Sequence, residues 1–211
     1  IEQTPNLGGK NSRPLATSEA FTFVSQDLPA EFKDLFEAGN VLFNATWVAS
    51  ISKKVVHEGL GPQFNNISCS NCHLNNGRGQ PPEGPDDTHD TMIIKLSVPD
   101  PDKNSCTIPL RTLGEQLQEK AIEGAKKEGT KKVSWSNIEG TYEDGTPYLL
   151  RKPHIQIKTT HPFTLPRNVI MSGRIGNPII GLGLINRVSD ELLKSIEDPD
   201  DLNGDGISGR R

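Results

Sequence analysis

Cys69-Ser70-Asn71-Cys72-His73 constrains this chain more than any other stretch. Two cysteines three residues apart, with a histidine directly after, can lie on one face of a single helical turn. Ser68 precedes them as a candidate N-cap. A run of this type attaches haem: the two thiols add to vinyl groups on one haem edge, and the imidazole reaches the iron. A bare Cys-x-x-Cys can instead be a redox dithiol or half a zinc site. Zinc would need a second Cys/His pair at short spacing, and a thioredoxin-like dithiol would need a βαβ context. The sequence offers neither.

Covalent attachment suits the rest of the chain. Of 211 residues only 33% are hydrophobic and 5% aromatic, against 20 glycines and 16 prolines. Such a loop-rich chain has a thin apolar inventory, and a large bound cofactor would supply part of its core. A net charge of -4, without clustered basic residues, excludes a nucleic-acid binder. The short run Lys126-Lys127 and Lys131-Lys132 reads as a solvated turn, or as a docking patch for an acidic partner. No apolar run is long enough for a membrane span. The chain begins at Ile1 rather than Met, which is expected of an exported protein whose signal has been removed. The third cysteine, Cys106, has no partner in the chain.

Pattern divides the chain as follows. Residues 1–27 read as an extended arm. Residues 28–46 read as a helix with Phe32, Leu35, Phe36, Leu42 and Phe43 mostly on one face. Met92 to Val98 reads as a strand. Residues 112–127 read as a second helix, striped by Leu113, Leu117, Ala121 and Ala125. Residues 132–158 read as a β-hairpin turning at Asp144-Gly145. Ser189 caps a short helix carrying Leu192, Leu193 and Ile196. The turn Asp201-Leu202-Asn203-Gly204-Asp205-Gly206 resembles the first half of an EF-hand loop, so Asp201, Asn203 and Asp205 are candidate calcium ligands beside the plainer reading of an Asp/Asn/Gly turn.

Other residues are candidates by chemistry. Arg78 and Arg174 can pair with haem propionates. Met92 and Met171 can serve as a sixth iron ligand through sulfur. Trp47 and Trp135 read as core residues or as steps on an electron path, and His57, His154 and His161 as packing or surface residues.

Several motifs then carry a resemblance. They are Gly39-xx-Leu42-Phe43-xxx-Trp47, Gly59-Leu60-Gly61-Pro62-xx-Asn65, Cys69-xx-Cys72-His73 and Gly77-Arg78-Gly79-xx-Pro82. Further along come Gly114-Glu115-Gln116-Leu117-Gln118-xx-Ala121-xx-Gly124-xxx-Glu128-Gly129, Ile180-Gly181-Leu182-Gly183-Leu184 and Asp201-xx-Gly204-Asp205-Gly206-Ile207-Ser208-Gly209-Arg210. Together, over most of residues 36–210, the chain resembles the bacterial di-haem oxidoreductases of peroxidase type, which are distantly similar to di-haem cytochrome c peroxidases.

The resemblance implies a mainly α protein: a cytochrome c-like helical haem core over 28–211, with long loops and a small β-hairpin insertion near 132–158. It implies a periplasmic or secreted oxidoreductase of peroxidase type, with covalent haem c, a small-molecule oxidant such as peroxide, and a redox partner protein. It also implies a second haem domain, yet this chain carries one CxxCH. The chain therefore reads as the amino-terminal haem half. The resemblance further implies Glu128 as general acid/base and Gln118, or Gln116 in its stead, as a hydrogen-bond donor beside the peroxide. It adds His89, in an acidic loop, as a displaceable sixth ligand. The alternative reading is a mono-haem electron-transfer module without peroxide chemistry.

Overall fold

The computed structural model describes residues 12, 15–49, 57–89, 91–102 and 106–210. Part of the arm expected over 1–27 (residues 1–11, 13 and 14) thus lies outside the described residues. The chain forms two units, Ile1–Pro178 and Ile179–Arg211.

The expectation of a mainly α, cytochrome c-like core is not met. The elements are α1 (Ala30–Asn44), β1 (Gln63–Phe64), β2 (Ile93–Pro99), β3 (Thr107–Pro109), β4 (Lys120–Ala121), β5 (Gly129–Thr141), β6 (Pro147–Thr159), β7 (Ile170–Arg174), α2 (Leu182–Ile185) and α3 (Asp190–Ser195). Three antiparallel sheets, ordered β1-β4, β3-β2-β7 and β5-β6, dominate the first unit. Among the described residues no helix is long and apolar enough to cross a membrane.

The central strand explains the layout. In β2 and the residue pair before it, side chains alternate between faces. Met92, Ile94 and Leu96 turn to the core, where Leu110, Leu113, Leu117 and Val133 meet them. Thr91 and Ile93 fall on the other face, which lines a cavity. One flank of β2 is held by β7, with Ile94 opposite Gly173 and Leu96 opposite Met171.

The segment beyond β3 overturns the helix expected over 112–127. It runs extended beside β2: Leu96 N–H donates to the Glu115 carbonyl at 2.8 Å, and Leu117 N–H to the Ile94 carbonyl at 3.0 Å. The stripe misled because a spacing of four residues fits both the helical period and the two-residue period of a strand. The breakers are Gly114 and Gly124, at φ +65° and +81°, where a helix cannot continue. Buried Leu117 then sits between Gln116 and Gln118, both of which face the cavity.

The hairpin β5-β6 lies where the sequence placed one, starting three residues earlier and ending one later. Its pairing runs from Gly129 opposite Thr159 to Thr141 opposite Pro147. Asp144 accepts from the Thr146 N–H at 2.9 Å in the connecting turn, and Gly145 takes φ +84° there. Midway along β5, Trp135 donates from Nε1 to the Pro82 carbonyl at 2.9 Å, with Arg151 stacked 4.3 Å over the ring.

Helix α1 carries the expected apolar face, but Phe32, Leu35, Phe36 and Leu42 are exposed. Its end reaches the motif: the Phe43 carbonyl accepts from Ser70 N–H, and Phe43 lies 6.2 Å from the His73 ring. In the second unit Ser189 Oγ accepts from Leu192 N–H and caps α3.

Candidate functional site

The CxxCH segment forms one hydrogen-bonded turn. The Cys69 carbonyl accepts from Cys72 N–H at 3.1 Å and from His73 N–H at 3.0 Å. Ser68 Oγ accepts from Asn71 N–H at 3.1 Å, as a cap does. The helical stretch after it is a short 3-10 piece, Leu74–Asn76, instead of a longer α-helix. Positive φ at Asn75 and Asn76 ends it. Asn66 braces the turn from outside: its Nδ2 lies 3.4 Å from Cys72 Sγ, and its Oδ1 accepts from Asn71 Nδ2 at 2.9 Å.

His73 is oriented from the exit of β7. Its Nδ1 lies 2.7 Å from the Asn177 carbonyl. A carbonyl oxygen only accepts, so Nδ1 carries the hydrogen and Nε2 keeps its lone pair for a metal. Gly176 allows this approach, because a Cβ there would lie 2.9 Å from His73 Cε1 and 3.0 Å from the Cys72 carbonyl. Gly79, whose N–H donates to the Gly176 carbonyl at 2.9 Å, ties the two segments together.

Cys69, Cys72 and His73 line a cavity of about 550 Å³ with Trp47, Leu60, Phe64 and Ile93, and Gln116 and Gln118 line it too. A second cavity of about 390 Å³ shares Asn65, Asn66, Cys72, Thr91 and Ile93 with the first. Cofactor sites span about 300–1,000 Å³ and are mostly apolar with a few placed polar groups. The residues present fit a haem joined through two thiols and one imidazole. Among the described residues no cluster of three or more His, Cys, Asp or Glu side chains could hold a bare metal ion.

Glu128 sits directly behind Gln118. Its Oε2 accepts from the Gln118 N–H at 2.7 Å, and its own N–H donates to the Gln118 carbonyl at 3.0 Å. Only 6% of Glu128 is exposed, and burial pushes its carboxyl group above the ordinary value of 4.5, against the smaller opposing pull of the Gln118 N–H. Neighbouring Glu119 is bound at both oxygens by Lys131, through its N–H at 2.7 Å and Nζ at 2.6 Å.

The remaining candidates lie elsewhere. His89, its side chain 96% exposed, borders a separate polar cleft of about 540 Å³ with Asp87, Glu83 and Arg151. Met92 is packed in the core and lines only the smaller cavity, and Met171 packs against the same core from β7. Arg78 is exposed, and Arg174 ends β7 opposite Ile93. Trp47 lies 5.7 Å from the His57 ring, His154 Nε2 is 2.7 Å from Ser136 Oγ, and His161 and Cys106 are exposed. In the second unit the candidate calcium oxygens accept from loop N–H groups: Asp201 from Gly206, Asn203 from Asp205, and Asp205 from Ile207.

Sequence reasoning missed Asn66, Gly176 and Asn177, whose roles arise only when distant segments meet. Asn65 was visible merely as part of a motif. It donates from Nδ2 to the Leu117 carbonyl at 2.8 Å and to Gln118 Oε1 at 3.1 Å, and accepts at Oδ1 from Glu119 N–H at 3.0 Å.

A family model described as "Di-haem oxidoreductase, putative peroxidase" matches residues 16–211, nearly the whole chain. No curated protein and no solved structure matches it.

Proposed function

We propose, for a chain that belongs to the di-haem oxidoreductase family, that the larger cavity holds a haem c and serves peroxide reduction. The observation that carries this reading is that the CxxCH turn and Gln118 line one cavity of about 550 Å³. Each thiol, at Cys69 and Cys72, adds its S–H across one vinyl group, so attachment consumes no oxidant. His73 offers Nε2 as the iron ligand, oriented by the Asn177 carbonyl.

When bound, the haem passes the two electrons that break the O–O bond. The chain does the rest. Gln118 offers an amide donor that holds the peroxide in the cavity, and Gln116 a second polar group. Glu128 moves the proton: it takes one from the first peroxide oxygen and returns it to the second, which leaves as water. Two further protons from solvent, together with the two electrons, turn the remaining oxygen into the second water. Burial brings the Glu128 carboxyl closer to the pH at which such a transfer is efficient. Glu128 stands behind Gln118 and does not itself line the cavity, so the transfer calls for a bridging water.

The electrons come from a second haem domain or a redox partner, in the periplasm or outside the cell. A mono-haem electron-transfer module would need a second iron ligand in the cavity. Among the described residues the cavity's lining holds no histidine beyond His73 and no methionine. The test is denaturing extraction of the exported protein, followed by peroxide turnover with an artificial electron donor. Haem that stays with the polypeptide, and peroxide consumed at the donor's expense, support the reading. Haem that washes out, or a loaded protein that ignores peroxide, overturns it.

A further inference from the structure

We infer that Asn65 is a positioning residue that sets the Gln118 amide with its NH2 group toward the cavity. The inference rests on the haem reading only for its chemical consequence; the orientation itself follows from the backbone. Asn65 lies between two main-chain groups of fixed character. The Leu117 carbonyl can only accept and the Glu119 N–H can only donate, at 2.8 Å and 3.0 Å. Asn65 must therefore present Nδ2 on the Leu117 side and Oδ1 on the Glu119 side. Its remaining Nδ2 hydrogen points at the Gln118 side chain, 3.1 Å away, so the atom of Gln118 that meets it is the acceptor Oε1. With Oε1 taken, Nε2 is left as the open end of the amide. It has no protein partner among the described residues, and it is not sealed from solvent.

Gln118 lines the haem cavity, so the group it offers there is a donor. A donor favours ligands that present a lone pair, such as peroxide or a halide. A reversed amide would favour ligands that present N–H or O–H. Asn65 thus acts through Gln118 and selects the ligand class without needing to touch the ligand. The main chain of residue 118 is held separately by Glu128, so losing the Asn65 side chain frees the amide more than the backbone.

Two measurements test this. The first needs no haem: side-chain amide hydrogen exchange by NMR. The Asn65 NH2 protons are expected to exchange slowly, and the Gln118 NH2 protons at least tenfold faster. Slow exchange at Gln118 with fast exchange at Asn65 would overturn the inference. The second uses the haem-loaded ferric protein as wild type, Asn65→Ala, Gln118→Ala and the double variant. Each is titrated with fluoride, which needs a donor, and with imidazole, which does not. Each single substitution is expected to weaken fluoride about tenfold, the scale of one hydrogen bond to a charged acceptor. The double variant is expected to lose no more than either single one, with imidazole affinity unchanged. Additive losses, or an Asn65→Ala protein that binds fluoride normally, would overturn the inference. If the wild type binds neither ligand while the exchange pattern holds, the open-cavity reading fails and the orientation of Gln118 stands.

Discussion

The cavity is built from two segments of opposite character. The CxxCH turn is local: five consecutive residues, one capping serine and two hydrogen bonds to the Cys69 carbonyl define it. The glutamine segment is assembled from afar. Gln116 and Gln118 are aligned by pairing with β2, Glu128 is brought behind them by the start of the long hairpin, and Asn65, 53 positions before Gln118, locks the amide. The first segment would bind its ligand as a short peptide might. The second exists only once the sheets have formed. On the proposed reading, covalent chemistry is thus written locally, and ligand selection depends on the tertiary fold.

Substitutions should separate the two. The largest effect is expected for Cys69→Ser with Cys72→Ser: haem should pass from wholly retained to wholly extractable under denaturing conditions, measured by the absorbance of the separated polypeptide. Retained haem would break the comparison at its local side. Next is Glu128→Gln, which should lower peroxide turnover by about 10²–10⁴-fold with haem content unchanged, the range for removing a general acid/base. A smaller loss is expected of Gly176→Ala. Its new Cβ would press on His73 and the Cys72 carbonyl at about 3 Å, and overpacking of this type costs about 1–3 kcal/mol. Thermal melts of wild type and variant check it, and no change would mean that the exit of β7 does not brace the motif.

The smallest effect is a pH dependence. Burial holds the Glu128 carboxyl above 4.5, so the folded chain keeps this proton to higher pH than the unfolded one. That raises relative stability at low pH, and it is lost as pH rises through the folded value. Glu128→Gln removes the effect, so the stability of the variant relative to wild type should climb across that window. A difference that stays flat with pH would mean the group titrates normally.

How much was legible follows the same division. The Ser68 cap, the turn at Asp144-Gly145 and the apolar helix near residues 30–44 were readable because each depends on neighbours in sequence. The overall class was not. A resemblance to haem proteins suggested helices, whereas Gly114 and Gly124 broke the stripe that seemed helical, and Leu113 reaches the core from a turn and Leu117 from an extended stretch. Gln118 and Glu128 were named through resemblance alone, since ten residues of separation carry no local signal of contact. Asn177 and Gly176 gave none at all: their role is to meet a histidine more than a hundred positions earlier.

The central claim is that His73 and an unligated amide segment share one haem cavity. The most direct measurement is the visible spectrum of the haem-loaded protein in its ferric and reduced forms. An iron held by the protein through His73 alone predicts a high-spin ferric spectrum that changes at once on adding peroxide. A low-spin spectrum in both oxidation states, unmoved by peroxide, would show a second protein ligand in the cavity and contradict the account.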